Sequence, residues 1–100
     1  MNSPHCLPPE LTIYTACETR LTWLSWLGEQ ADSDRTEVFA LDAADVREVD
    51  AAGVQLLLSL ANTLARRSPP SALLLDRPSE PLRQACQALG AATLLQGEAA

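Results

Sequence analysis

The stretch from Asp50 to Arg67 constrains the fold more than any other part of the chain, because it carries the start, the apolar face and the end of one helix. Asp50 is a favourable N-cap residue, and the two alanines after it are good helix formers. Gly53 costs a helix about 1 kcal/mol relative to alanine, so its place in the first turn indicates close packing or a tight backbone turn. Arg66 and Arg67 suit the negative end of the helix dipole, and the prolines at 69 and 70 prevent continuation. The predicted apolar face consists of Leu56, Leu57, Leu60, Ala61 and Leu64.

The opposite side of this helix is polar. Gln55, Ser59, Asn62 and Arg66 recur at helical spacing and therefore share one stripe of its surface. A solvated helix surface explains this stripe, and a protein-binding surface would have the same composition. Ser59 and Thr63 also carry hydroxyls that a kinase could phosphorylate.

Strand patterns occur before and after this helix. Leu11, Ile13 and Thr15 alternate with other residues, which predicts a strand with one covered face over 10–16. Short buried strands are predicted at 38–41 and at 73–75. The prolines of residues 1–9 restrict that segment to a short edge strand or irregular structure.

Two further helices are predicted. The first covers 18–31, with Leu21, Trp23, Leu24 and Leu27 on its buried arc and Trp26 on the flank of that arc. The second begins after the N-cap residue Ser79 with Pro81 in its first turn, and ends at Gly90. Its buried face is predicted to contain Leu82, Ala85, Cys86 and Leu89.

The alternation of strands and helices predicts one α/β domain over residues 1–100. We expect a mostly parallel sheet of four strands, with five as the alternative, packed against three or four helices. Residues 93–100 are expected to form a frayed tail. A 100-residue chain that is 47% hydrophobic can build a single core of this kind.

The charge and cysteine content exclude several classes of function. Thirteen acidic residues against seven arginines give a net charge of −6, which disfavours nucleic acid and anionic membranes as partners. Cys6, Cys17 and Cys86 are widely spaced, which argues against a disulfide framework or a zinc site and favours a reducing cytoplasm. Cys17 and Cys86 are expected to be buried as small apolar residues. His5 is the single histidine, and the four glycines form no phosphate loop, so neither an enzyme nor a cofactor is predicted.

Asp42, Asp45 and Asp50 are the one cluster that could bind a metal. These three aspartates lie in the same loop region, and such a cluster could form a magnesium site of the kind that accepts phosphoryl groups. Such sites also use a lysine to neutralise charge, and this chain has no lysine. The preferred interpretation is therefore that Asp50 caps the helix, contacts a partner, or does both.

The order of elements, together with Val49-Asp50-Ala51-Ala52-Gly53, resembles a STAS domain, the family of the bacterial anti-sigma factor antagonists. In that family the loop typically reads Asp-Ser-Ser-Gly or Asp-Ser-Thr-Gly, and the hydroxyl residue before the glycine is the phosphoacceptor. The corresponding residue here is Ala52, a degenerate acceptor position without a hydroxyl. The resemblance thus implies the STAS fold and a non-catalytic binding role, but not regulation by phosphorylation at this position.

The resemblance also implies a partner surface around this loop and the helix after it. It implies constitutive binding of an anti-sigma factor, a kinase or a chemotaxis component in the bacterial cytoplasm. Two other roles fit the same chain: the STAS subunit of a lipid-transport ABC complex, which would bind the ATPase, and a phosphorelay substrate modified at Ser59 or Thr63. Nucleotide binding, known for some STAS domains, stays a further alternative. The implied interface residues are Arg47, Asp50, Ala52, Gln55, Ser59, Asn62 and Arg66.

Overall fold

The structure, a computed structural model, describes residues 5–31, 38–67 and 70–95. Strands and helices alternate along it, so the predicted α/β class is confirmed. The helices are α1 (Ala16–Ala31), α2 (Ala51–Ala65) and α3 (Glu80–Ala88), followed by a 3-10 turn at Ala92–Leu95. The strands are β1 (His5–Cys6), β2 (Glu10–Leu11), β3 (Val38–Asp42), β4 (Glu48–Val49) and β5 (Ala72–Asp76).

The described strands pair in parallel in two small sheets. One has the order β1-β3-β5 and the other pairs β2 with β4. The prediction of one sheet with four strands is therefore wrong, since the larger sheet has three. Pro8 and Pro9 lie between β1 and β2, and proline cannot donate to a ladder. The Pro9 carbonyl instead accepts from the N–H groups of Arg47 and Glu48, at 2.7 and 3.1 Å, where the second pairing begins.

The longest strand pairing joins β3 to β5, and both strands contribute side chains to the core. Five residue pairs are in register, from Val38 with Ala72 to Asp42 with Asp76. Side chains of α2 pack into the same core, and the predicted apolar face of this helix is confirmed at Leu57, Leu60 and Leu64. Fully buried side chains from the strands and helices include Leu11, Leu41, Leu57, Leu64, Leu75 and Leu82.

Helix α1 packs through a different stripe from the predicted one. Trp23 is buried as expected, but Leu21 and Leu24 are 57% and 50% exposed, so their predicted burial is wrong. Within residues 17–28 the buried or half-buried positions are Thr19, Trp23, Trp26 and Leu27, which follow one stripe of a helix at i, i+4, i+7 and i+8. The two indole rings and a buried threonine therefore face the core, and the leucines between them do not.

Trp26 connects α1 to the sheet. Its ring meets the Phe39 ring edge-on, with centroids 5.4 Å apart, and stacks on His5 at 4.9 Å.

Cys17 lies off the buried stripe of α1 and is exposed, so its predicted burial is also wrong. On α3, Cys86 is buried as predicted, but Leu89 at the end of the helix is 50% exposed, so its predicted burial is wrong.

The strand predicted over 10–16 stops at Leu11. Residues 12–15 form a turn, closed by the Thr15 N–H donating to the Thr12 carbonyl at 3.0 Å. We call these four residues the Thr12–Thr15 turn. Ile13, expected on the covered face of a strand, is 66% exposed within it.

The predicted N-caps of α2 and α3 are confirmed, whereas α1 begins at Ala16, two residues before the predicted start. The Asp50 and Ser79 side chains accept hydrogen bonds from the N–H groups of Gly53 and Leu82, and Gly90 after α3 has a φ of +72°, which glycine tolerates. Of the predicted frayed tail over 93–100, the first residues belong to the 3-10 turn and 96–100 lie outside the described residues, as do 1–4 of the N-terminal segment.

Replacement of Gly53 by alanine should destabilise the protein strongly. An added Cβ would overlap the carbonyl oxygen of Leu11, a backbone atom that cannot move without disturbing β2. We expect a loss of at least about 2 kcal/mol in the free energy of unfolding, measured by urea denaturation, although alanine is the better helix former.

Gly28 in α1 provides the matched control, because an added Cβ there would meet no atom of the described residues within 4 Å. Gly28→Ala should stabilise the protein by about 0.5 to 1 kcal/mol. Equal effects of the two substitutions would contradict the close approach of α2 to β2.

Candidate functional site

The Asp50 carboxylate joins two segments that lie far apart in the sequence. Its Oδ1 accepts from the Gly53 N–H at 3.0 Å and so caps α2, while its Oδ2 accepts from the Ile13 N–H at 3.1 Å. The Asp50 N–H donates to the Leu11 carbonyl at 3.3 Å. The start of α2 is thereby fixed to the end of β2 and to the Thr12–Thr15 turn.

These hydrogen bonds also set the charge of the carboxylate. The pKa of Asp50 lies below its usual range because the N–H groups of Ile13 and Gly53 donate to the ionised form. Asp50 is therefore an anion at neutral pH. Its oxygens already accept hydrogen bonds within the fold, so it is poorly suited to act as a general base.

Asp42 has a different role from Asp50. The Ala44 N–H and the Arg77 guanidinium both donate to its carboxylate and lower its pKa, and the Arg77 Nη2 lies 2.6 Å from Asp42 Oδ2. Within residues 5–31, 38–67 and 70–95, no three His, Cys, Asp or Glu side chains are grouped to hold a metal ion. Asp42 thus forms an ion pair with Arg77 rather than a cluster with Asp45 and Asp50.

The first turn of α2 presents two small side chains at the surface. Ala51 is exposed and Ala52 is half-buried, directly after the capping Asp50. The Val54 N–H donates to the Asp50 carbonyl at 3.1 Å, which completes the turn. The degenerate acceptor position, Ala52, therefore adds neither a hydroxyl nor a charge to this corner of the molecule.

The polar stripe predicted from the sequence lies at the surface. Gln55, Ser59, Asn62 and Arg66 are all exposed along α2 and its C-cap, and we call these four residues the α2 face. Arg47, the other predicted interface residue, is exposed immediately before β4.

The two candidate phosphoacceptors of α2 differ in their surroundings. The Thr63 hydroxyl donates to the Ser59 carbonyl at 2.9 Å, one turn earlier in the helix. Ser59 and Thr63 are both exposed.

The sequence prediction missed the turn that exposes both Ile13 and Tyr14. They are 66% and 89% exposed, although the alternating pattern placed them in a strand. The available signal was the pair of threonines at 12 and 15, because threonine side chains can bond to the nearby backbone and favour turns. The structure brings this turn against Asp50, so it borders the start of α2.

Comparison with protein-family models, with curated proteins and with solved structures gives no match to this chain. None of the helices in the described residues is long and apolar enough to cross a membrane.

Asp50→Asn should lower the free energy of unfolding at neutral pH and should make that free energy less dependent on pH. An amide has one acceptor oxygen and cannot reproduce both hydrogen bonds of the carboxylate. Because the pKa of Asp50 is lower in the folded than in the unfolded state, its contribution is complete above about pH 4 and is lost as the pH falls through the folded value.

Urea midpoints of the wild type and of Asp50→Asn, measured at neutral and acidic pH, check this expectation. The two proteins should differ most at neutral pH and converge in acid. A constant difference at every pH would show that the charge of Asp50 does not contribute to stability.

Proposed function

We propose that this protein is a non-catalytic, cytoplasmic signalling module of the anti-sigma factor antagonist type, which binds a partner protein through the start of α2 and the α2 face. The observation that carries the proposal is one continuous surface in which the exposed Ala51 is followed by the exposed side chains of the α2 face. The sequence resemblance to STAS domains supports a partner surface at this location.

The rigidity of the loop supports a binding role. Asp50 forms two side-chain hydrogen bonds, and Gly53 lies against the Leu11 carbonyl, so the backbone before α2 has one defined arrangement. A surface that is ordered before binding loses less conformational entropy in the complex. The proposed site is accordingly a preformed docking surface.

Ala52 determines how this binding would be regulated. A phosphate at the start of a helix would add up to two negative charges to the proposed surface. Alanine cannot accept a phosphate, so binding through this surface is constitutive with respect to residue 52. Sigma-factor and chemotaxis pathways both fit a module of this kind.

Affinity capture followed by a matched pair of substitutions tests the proposal. The wild-type protein should retain a specific protein from a lysate of the source organism, and the purified partner should bind Gln55→Lys about tenfold more weakly. Gln87→Lys is the control, because it makes the same substitution at an exposed position on α3. It should change the affinity less than about twofold.

The outcomes separate the candidate functions. An anti-sigma factor, a kinase or a chemotaxis protein as partner supports the signalling role, whereas an ABC ATPase favours the transport role. A gain of one phosphate on Ser59 or Thr63, seen by mass spectrometry after incubation with lysate and ATP, favours the phosphorelay role. Equal affinities of Gln55→Lys and Gln87→Lys would reject the α2 face as the interface.

A further inference from the structure

The Thr12–Thr15 turn carries two large apolar side chains at its tip. Its closing hydrogen bond makes Ile13 and Tyr14 the central residues of a β-turn. Glycine, proline, asparagine, aspartate and serine usually occupy such positions. Ile13 and Tyr14 are 66% and 89% exposed, so neither contributes much to the core by burial. Local structure therefore does not explain their presence.

The backbone of this turn is held rigidly. The Thr12 N–H donates to Thr15 Oγ1 at 3.1 Å, and the Thr15 hydroxyl lies 2.9 Å from the Glu10 carbonyl oxygen to which it donates. The Tyr14 N–H donates to Thr12 Oγ1 at 3.3 Å, and the Ile13 N–H donates to Asp50. Both apolar side chains thus project from an ordered support, which lowers the entropic cost of using them in a complex.

Acidic groups lie on one side of the turn. Glu10 accepts a hydrogen bond from the Thr12 hydroxyl at 2.6 Å, Asp50 accepts from Ile13, and Glu48 is the register partner of Glu10 in the β2–β4 pairing. Segments 9–16 and 47–53 contain a single cation, Arg47. The apolar tip is therefore bordered by negative charge, in a chain whose net charge is −6.

We propose that Ile13 and Tyr14 form a docking site for a protein partner whose complementary surface is an apolar pocket bordered by lysine or arginine. Exposed tyrosine on an ordered support is typical of interface hot spots, and opposite charges around it favour association. The acidic border disfavours a second copy of this chain, nucleic acid and anionic membranes, because all of these repel it. The inference rests on the proposed function and extends its surface from the α2 face, across Asp50, to the turn.

Site-specific photocrosslinking tests the position of the docking site. A benzophenone amino acid is placed at Tyr14, at Asn62 on the α2 face, or at Val38, and each full-length protein is irradiated in a lysate of the source organism. Val38 is the control, because it is an exposed apolar residue at the amino end of β3, whereas the turn follows the carboxyl end of β2. Tyr14 and Asn62 should give adducts with the same protein, and Val38 should give none.

The affinity of the identified partner tests the chemistry of the docking site. Tyr14→Ser should weaken binding about tenfold or more. Tyr14→Phe keeps the apolar ring and should therefore weaken binding less than about threefold. Affinity should also fall as the salt concentration rises from about 0.05 to about 0.5 M, because salt screens the charges around the turn. Since Tyr14 is 89% exposed, both variants should keep the thermal midpoint of the wild type.

The results at Tyr14 and at Asn62 test the docking site and the proposed function separately. An adduct at Asn62 without one at Tyr14, or equal affinities of wild type and Tyr14→Ser, would overturn the docking site and leave the α2 face in place. Affinity that does not respond to salt would overturn the basic border of the partner pocket. The absence of adducts at both positions would reject the proposed function and the docking site together.

Discussion

The close approach of the first turn of α2 to the end of β2 is the constraint on which the candidate surface depends. It requires the absence of a side chain at Gly53, because a Cβ would overlap the Leu11 carbonyl. With the two backbones this close, the Asp50 carboxylate reaches both the Gly53 N–H and the Ile13 N–H. Helix direction, loop conformation and the position of the Thr12–Thr15 turn therefore follow from one packing contact.

Asp50 shows how a structural residue can also border a proposed binding surface. Its hydrogen bonds account for its low pKa and for the order of the loop, so a substitution there changes the fold together with any partner contact. Exposed residues such as Gln55 and Tyr14 separate the two effects, because their side chains can be changed without loss of core packing. The proposed binding role depends on these exposed positions rather than on Asp50 alone.

The distribution of charge connects the two parts of the proposed surface. Polar side chains dominate the α2 face, whereas the turn presents apolar groups within an acidic border formed by Glu10, Glu48 and Asp50. An apolar centre with a polar rim is the usual arrangement of a specific protein interface. Ala52 lies between these parts without a charge or a hydroxyl, which is consistent with a contact that phosphorylation at residue 52 does not interrupt.

The sequence by itself determined α2, since the cap at Asp50, the leucine spacing and the end at Arg66 are local signals. It did not determine which stripe of α1 is buried: Leu21 and Trp23 are both apolar, and only the packing of α1 against the rest of the fold leaves the first exposed and buries the second. The sequence also predicted a strand through Ile13, because the alternation of side chains carries no information about hydrogen bonds to distant parts of the chain. The turn is fixed by threonine side chains and by Asp50, which lies 37 residues beyond Ile13, and a contact at that distance arises only when the chain has folded.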